Sequence, residues 1–72
     1  MSENTPMQTA LLKVLATMNM EMEDKVLISL KLTTDKQIIT FLRWLKANVS
    51  EEQVRFRQNE IIMKAIEIAK TM

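Results

Sequence analysis

The side chains of this 72-residue chain that could take part in chemistry are carboxylates, amines, guanidinium groups, amides and hydroxyls. Cysteine and histidine are both absent, which excludes thiol and imidazole catalysis, disulfides and the usual zinc sites. Glycine is also absent, so no glycine-rich loop could hold a phosphate group. Adjacent acids such as Glu51 and Glu52 fall on a predicted solvent-facing surface. We therefore expect a binding protein with no enzymatic activity, no cofactor and no metal.

The charge of the chain is distributed unevenly. Residues 1–24 carry a net charge of −3, and residues 25–72 carry a net charge of +4. This asymmetry indicates an anionic partner for the later part, although an ordinary solvated surface would have the same charge pattern.

Three capping boxes divide the chain, because a hydroxyl is followed three residues later by a glutamine at each of them. They begin at Thr5, Thr34 and Ser50. Apolar residues at helical spacing predict a first helix over about 6–18, a second over 35–47, and a last one from Asn59 onward. For residues 51–58 the pattern leaves both a helix and a loop open.

The segment from Lys25 to Leu32 has a different period. Four apolar residues alternate with other side chains there, which predicts a half-buried strand. A helix over residues 21–32 is the alternative, because it would also bring apolar residues together. The alternating residues are Val26, Ile28, Leu30 and Leu32.

A single strand would leave its backbone N–H and C=O groups unpaired unless a second strand joined it. No other segment of the chain is predicted to form a strand, so the same strand of a second copy is the expected partner. A chain of this length without disulfides or metals also gains most from self-association. We therefore expect a homodimer or a larger homo-oligomer.

The order of these segments resembles the ribbon–helix–helix family of small repressors, antitoxins and conjugation accessory proteins. The resemblance rests on residues 28–35 (ISLKLTTD), on the amphipathic helix that follows them, and on residues 59–66 (NEIIMKAI). It covers about residues 25–70. The predicted fold is mainly α: residues 1–24 form an extension with one helix, and residues 25–72 form a ribbon–helix–helix-like domain in an intertwined homodimer. The longer connection over 47–58, which has no glycine, departs from the family pattern.

The resemblance implies a sequence-specific DNA-binding protein, a transcriptional repressor or antitoxin, whose two-stranded ribbon reads the major groove of double-stranded DNA. A toxin or another protein would be a further partner. The implied base contacts are Leu27, Ser29 and Lys31; the implied phosphate contacts are Arg55, Arg57, Gln58 and Asn59; the implied dimer core is Val26, Ile28, Leu30, Leu32, Ile61, Ile62 and Ile66.

An all-helical alternative follows if residues 21–32 form a helix. The chain would then be an oligomeric helical bundle that acts as a non-enzymatic protein-interaction or oligomerisation module. Neither fold needs a membrane, because no apolar run approaches the roughly 20 residues that span a bilayer. The polar, acidic residues 1–6 lack the features of a signal peptide, and we expect a cytoplasmic protein.

Overall fold

The computed structural model describes residues 5–72, which are mainly helical and contain no strand. Residues 1–4, part of the predicted polar N-terminus, lie outside the described range. The described elements are the helices α1 (Pro6–Thr17), α2 (Met22–Lys31), α3 (Asp35–Asn48) and α4 (Gln58–Thr71), and a 3-10 turn (Val54–Phe56) between α3 and α4.

Two of the predicted capping boxes are confirmed as the starts of α1 and α3. Thr5 Oγ1 accepts a hydrogen bond from the backbone N–H of Gln8 at 3.2 Å, and Gln8 Oε1 accepts from the N–H of Thr5 at 3.0 Å. Thr34 and Gln37 make the same reciprocal pair at the start of α3. Each box pairs backbone N–H groups that the helix itself leaves without partners.

The third capping box starts no α-helix. The backbone N–H of Ser50 donates to Gln53 Oε1 at 3.2 Å, but the chain continues into the 3-10 turn, and α4 begins only at Gln58. Val54 is buried in this connection. Val54 lies seven residues, about two helical turns, before Ile61, so its burial alone would also be compatible with a continuous helix over 51–72.

The predicted strand over residues 25–32 is wrong, and the alternative helix is confirmed, since α2 covers most of this segment. The alternation in the sequence does not correspond to burial: Ile28 and Leu32 are buried, whereas Val26 and Leu30 are exposed. A lone strand would leave its backbone polar groups unpaired, and a helix pairs them internally. The acidic first turn and Lys31 in the last turn also match the helix dipole.

The four helices form two layers in which consecutive helices are not always neighbours. Within residues 5–72, α1 packs on α2 and α3, and α4 packs on α2 and α3, so that α2 and α3 are diagonally opposite. Thr5 Oγ1 donates to Asp35 Oδ1 at 3.3 Å, which places the N-terminal ends of α1 and α3 together. Lys64 Nζ of α4 lies 5.8 Å from the centre of the Trp44 ring in α3. Helix α4 runs in the direction opposite to α3.

Every one of the four helices contributes buried side chains to the core between the layers. Its largest fully buried side chains are Phe41, Leu11, Ile28, Leu32, Ile38 and Ile61.

A buried glutamine fixes the connection between the diagonal helices α2 and α3. Gln37 is 6% exposed. Its Oε1 accepts from the backbone N–H groups of Thr33 at 2.9 Å and Thr34 at 3.1 Å, and from Thr33 Oγ1 at 3.3 Å. Leu32, just before this turn, is fully buried. One side chain therefore pairs the polar groups of a turn that passes beside the core.

We expect Gln37→Ala to lower the free energy of unfolding by about 2 kcal/mol, because it leaves two partly buried N–H groups without an acceptor. Gln8→Ala is the matched control. It removes the equivalent acceptor at the exposed start of α1, where water replaces it, and should cost only about 0.5 kcal/mol. Urea unfolding followed by circular dichroism measures both; equal losses would contradict the role assigned to Gln37.

Candidate functional site

The three residues predicted to contact DNA bases do not form a row. Positions two apart on a helix lie roughly 200° apart, so Ser29 points to the side of α2 opposite Leu27 and Lys31. Leu27 and Ser29 are partly buried, and Ser29 Oγ donates to the carbonyl of Val26 at 2.8 Å. Lys31 is exposed at the end of α2.

The four residues predicted to contact phosphate lie together where α4 begins. Arg55 and Asn59 are exposed, and Gln58 Nε2 donates to the carbonyl of Arg55 at 2.9 Å. Gln58 is therefore already hydrogen-bonded within the chain, whereas Arg55 and Asn59 face solvent.

Arg57 is bound within the fold. Its Nε donates to Glu60 Oε1 at 2.9 Å, and its Nη1 donates to the carbonyl of Asn48 and to Gln53 Oε1 at 3.3 Å. The hydrogen bond to Glu60 raises the pKa of Arg57, and the same bond lowers the pKa of Glu60. These contacts join the C-terminal end of α3 to the first turn of α4, so Arg57 stabilises the connection between them.

The predicted base contacts and phosphate contacts lie at opposite ends of the bundle. Ser29 shares a cavity with Gln8 near the start of α1, so the C-terminal end of α2 lies at that end. Arg57 instead contacts the C-terminal end of α3. Lys31 and the arginines are therefore separated along the long dimension of the molecule.

The residues predicted as a dimer core divide into three groups. Some belong to the interior of a single chain, some are partly buried, and some face solvent. Ile28, Leu32 and Ile61 are fully buried; Ile62 and Ile66 are partly buried; Val26 and Leu30 are exposed.

An open groove of about 520 Å³ lies between α1, α3 and the connection to α4. Its walls are mostly apolar, and its only charged residues are Lys46 and Glu51. Within residues 5–72, no three acidic residues are grouped so as to hold a metal ion. The groove therefore offers shape and a mostly apolar surface, with one amine and one carboxylate among its lining residues.

An exposed apolar strip lies where α1 and α2 meet. Leu12, Met22 and Val26 line one cavity of about 270 Å³ together with Ala16. Leu30 follows Val26 by one helical turn on the same side of α2. The exposed fractions are 44% for Leu12, 70% for Met22, 48% for Val26 and 69% for Leu30. We call these four residues the α1/α2 face.

Other exposed apolar residues stand apart from this strip. Phe56 is 84% exposed in the 3-10 turn and follows Arg55 directly. Met63 is 64% exposed, but its surroundings on α4 include Glu60, Lys64 and Glu67. Single apolar residues of this kind are common on protein surfaces, whereas a contiguous strip is typical of an interaction site.

Met22 is a surface residue that sequence reasoning missed. The other methionines near the start of the chain pack on the core: Met18 is buried, and Met7 and Met20 are partly buried. The signal that could have found Met22 is its spacing of four residues from Val26 and eight from Leu30, which places all three on one side of a helix.

A second surface that the sequence analysis did not single out is the outer side of α3. Lys36, Arg43 and Lys46 are exposed on this side and take part in neither of the ion pairs found in residues 5–72. Asp35 lies in the first turn of α3, and Glu51 lines the same groove as Lys46. The outer side of α3 is therefore positively charged along most of its length.

Comparisons of the chain with protein-family models, with curated proteins and with solved structures find no match. Among the helices of residues 5–72, none has the length and apolar content needed to cross a membrane.

We expect the ion pair of Arg57 and Glu60 to make unfolding depend on pH. The pKa of Glu60 is lowered in the folded chain, so its contribution is complete above its ordinary value of about 4.5 and is lost as the pH falls through the lower folded value. Glu60→Gln should reduce the loss of stability between about pH 5 and pH 2. Unfolding midpoints measured across this range test it, with exposed Glu52→Gln as the control; identical pH profiles for Glu60→Gln and the parent chain would contradict it.

Proposed function

We propose that this chain is a non-enzymatic helical module that binds protein through the α1/α2 face. The observation that carries the proposal is the strip of Leu12, Met22, Val26 and Leu30, which the single chain leaves in solvent. Covering apolar surface is favourable by roughly 25 cal/mol per Å². A protein partner is the occupant that such a strip suits best.

The rest of the molecule supports this function because its interior is complete. No buried side-chain nitrogen or oxygen within residues 5–72 lacks a hydrogen-bond partner. The core receives side chains from all four α-helices and from the 3-10 turn. The exposed strip is therefore additional to a core that already packs, and its burial would come from binding.

The proposal is tested by site-specific photo-crosslinking. A p-benzoyl-phenylalanine residue in place of Val26 should form cross-links to protein in cells that express the chain. The same residue in place of exposed Ala47, on the diagonally opposite helix α3, should form far fewer. Adding Leu30→Asp should abolish the cross-links at position 26, because a buried, unpaired carboxylate is strongly unfavourable at an interface.

The size of the cross-linked product identifies the occupant. A product of two chain masses is a second copy, and a product of any other mass is a different protein. Cross-links that are equally frequent at positions 26 and 47, or that survive Leu30→Asp, would contradict a binding role for the α1/α2 face.

DNA binding is a second candidate function, and the charge on the outer side of α3 favours it. A positive helix surface suits phosphate contacts, and the major groove accepts a helix. The ribbon proposed for DNA reading has no counterpart within residues 5–72, because its segment lies in α2. If the chain binds DNA in this fold, Lys36, Arg43 and Lys46 are the residues placed to contact it.

We expect binding of duplex DNA, measured by fluorescence anisotropy, to weaken steeply between about 50 and 200 mM salt. Arg43→Ala combined with Lys46→Ala should weaken binding about tenfold or more, whereas Lys31→Ala should have little effect. The opposite pattern would contradict a DNA-binding role for the outer side of α3. No saturable binding at the lowest salt would exclude duplex DNA as a partner of this fold.

A further inference from the structure

We propose that the partner at the α1/α2 face is an amphipathic helix of another protein, which lies in the groove between α1 and α2 and carries a carboxylate that pairs with Lys25. This inference rests on the proposed function, since it states the chemistry of the protein that the face binds. Three features support it: the extent of the groove, the charge of its lining and the helical form of its two walls.

The apolar surface between α1 and α2 is an extended groove. One cavity of about 270 Å³ is lined by Ala16 and Met22, and a second of about 150 Å³ is lined by Gln8. Leu12 and Ser29 line both cavities, so the two adjoin. From Gln8 to Ala16, α1 covers about 12 Å, a little over two helical turns. The groove therefore matches about two turns of a bound helix, whose apolar side chains recur every three or four residues.

The charge of the groove lining has one sign. Lys25 is the only charged residue that lines either cavity, and the other polar residues there, Gln8 and Ser29, are neutral. Lys25 is partly buried and takes part in neither of the ion pairs found in residues 5–72. Glu21 and Asp24 are near it in sequence but line neither cavity.

This unpaired amine determines what the partner must carry. A partner that covered Lys25 with apolar groups alone would desolvate its charge without a counter-ion, which is strongly unfavourable. A carboxylate on the partner removes that penalty, and the groove lining has no acid that would repel it. Charge complementarity therefore selects an acidic partner over a neutral or basic one.

A helix is the form of partner that the walls of the groove accept. Both walls are helices, and within residues 5–72 no strand offers an edge to which an extended peptide could hydrogen-bond. An extended peptide in this apolar groove would leave its N–H and C=O groups unpaired, whereas a helix pairs them internally. An amphipathic helix can therefore bury its apolar side in the groove and keep its polar side in water.

The expected interface is small. A contact of about two helical turns should bury less than about 1,200 Å² in total, the low end for specific complexes. We therefore expect a dissociation constant in the micromolar range. The ion pair at Lys25 contributes more to the choice of partner than to the affinity, because it lies at a partly exposed position.

The probe for the first test is a phage-displayed library of amphipathic helical peptides, with leucines fixed at helical spacing and the flanking positions randomised. Selection against the parent chain should enrich aspartate or glutamate at a flanking position that reaches Lys25. Selection against Lys25→Glu should enrich lysine or arginine there instead. A glutamate near the start of α2 suits the helix dipole, and circular dichroism confirms that the variant stays folded.

A selected peptide is then measured in solution by fluorescence anisotropy. Lys25→Glu should weaken its binding about tenfold, and exchanging the acid of the peptide for lysine should restore binding to the same variant. Leu12→Gln, which removes an apolar side chain from both cavities, should also weaken binding about tenfold. Lys70→Glu is the matched control: it makes the same change of charge at an exposed position of α4, which does not contact α1, and should leave binding unchanged.

The outcomes distinguish this inference from the proposed function. Peptides without acidic enrichment, or with binding that is insensitive to Lys25→Glu, would overturn the inference, and so would a library that yields no peptide dependent on Leu12. A photo-crosslinked product of two chain masses at position 26 would identify a second copy as the occupant and would also overturn it. None of these results removes the proposed function, which depends on the cross-links at position 26.

Discussion

The backbone hydrogen bonds of residues 22–31 determine the rest of the architecture. In a single chain this segment can pair its N–H and C=O groups only by forming a helix, because within residues 5–72 there is no other extended segment beside it. Once it is a helix, Ile28 and Leu32 enter the core and their alternating neighbours Val26 and Leu30 turn outward. The exposed strip on α2 thus follows from the need to pair the backbone N–H and C=O groups of this segment.

The diagonal placement of α2 and α3 in the four-helix bundle depends on the turn between them. A three-residue connection that joins diagonal helices must pass close to the core, and Leu32 is buried there. Gln37 supplies the acceptor for two N–H groups of this turn. The same glutamine that completes the capping box of α3 therefore also fixes the turn that joins the two helices.

Much of the helical structure could be predicted from the sequence because its signals are local. Capping boxes at Thr5 and Thr34 fix the starts of α1 and α3 through hydrogen bonds three residues apart. The segment over residues 25–32 could not be resolved in this way. Its apolar residues fit both a period of two and a helix, and the choice depends on whether a second strand exists, which is not a local property. The resemblance to ribbon–helix–helix proteins assumed that strand.

The candidate site was harder to predict than the fold, because it depends on whether residues 25–32 form a helix or a strand. Val26 and Leu30 were identified as interface residues, but in a strand they would share a face with Ile28, and in the helix they share one with Met22. The side-chain partners of a residue depend on the helical or extended state of its backbone. Arg57 illustrates a second limit, because its hydrogen bonds to Asn48 and Glu60 follow from the break between α3 and α4. The sequence alone left that break open.

The diagonal arrangement also separates the two exposed surfaces from each other. The α1/α2 face belongs to α1 and α2, whereas the positive charges of Lys36, Arg43 and Lys46 lie on the outer side of α3, which does not touch α2. A partner on the first surface would therefore leave the second accessible.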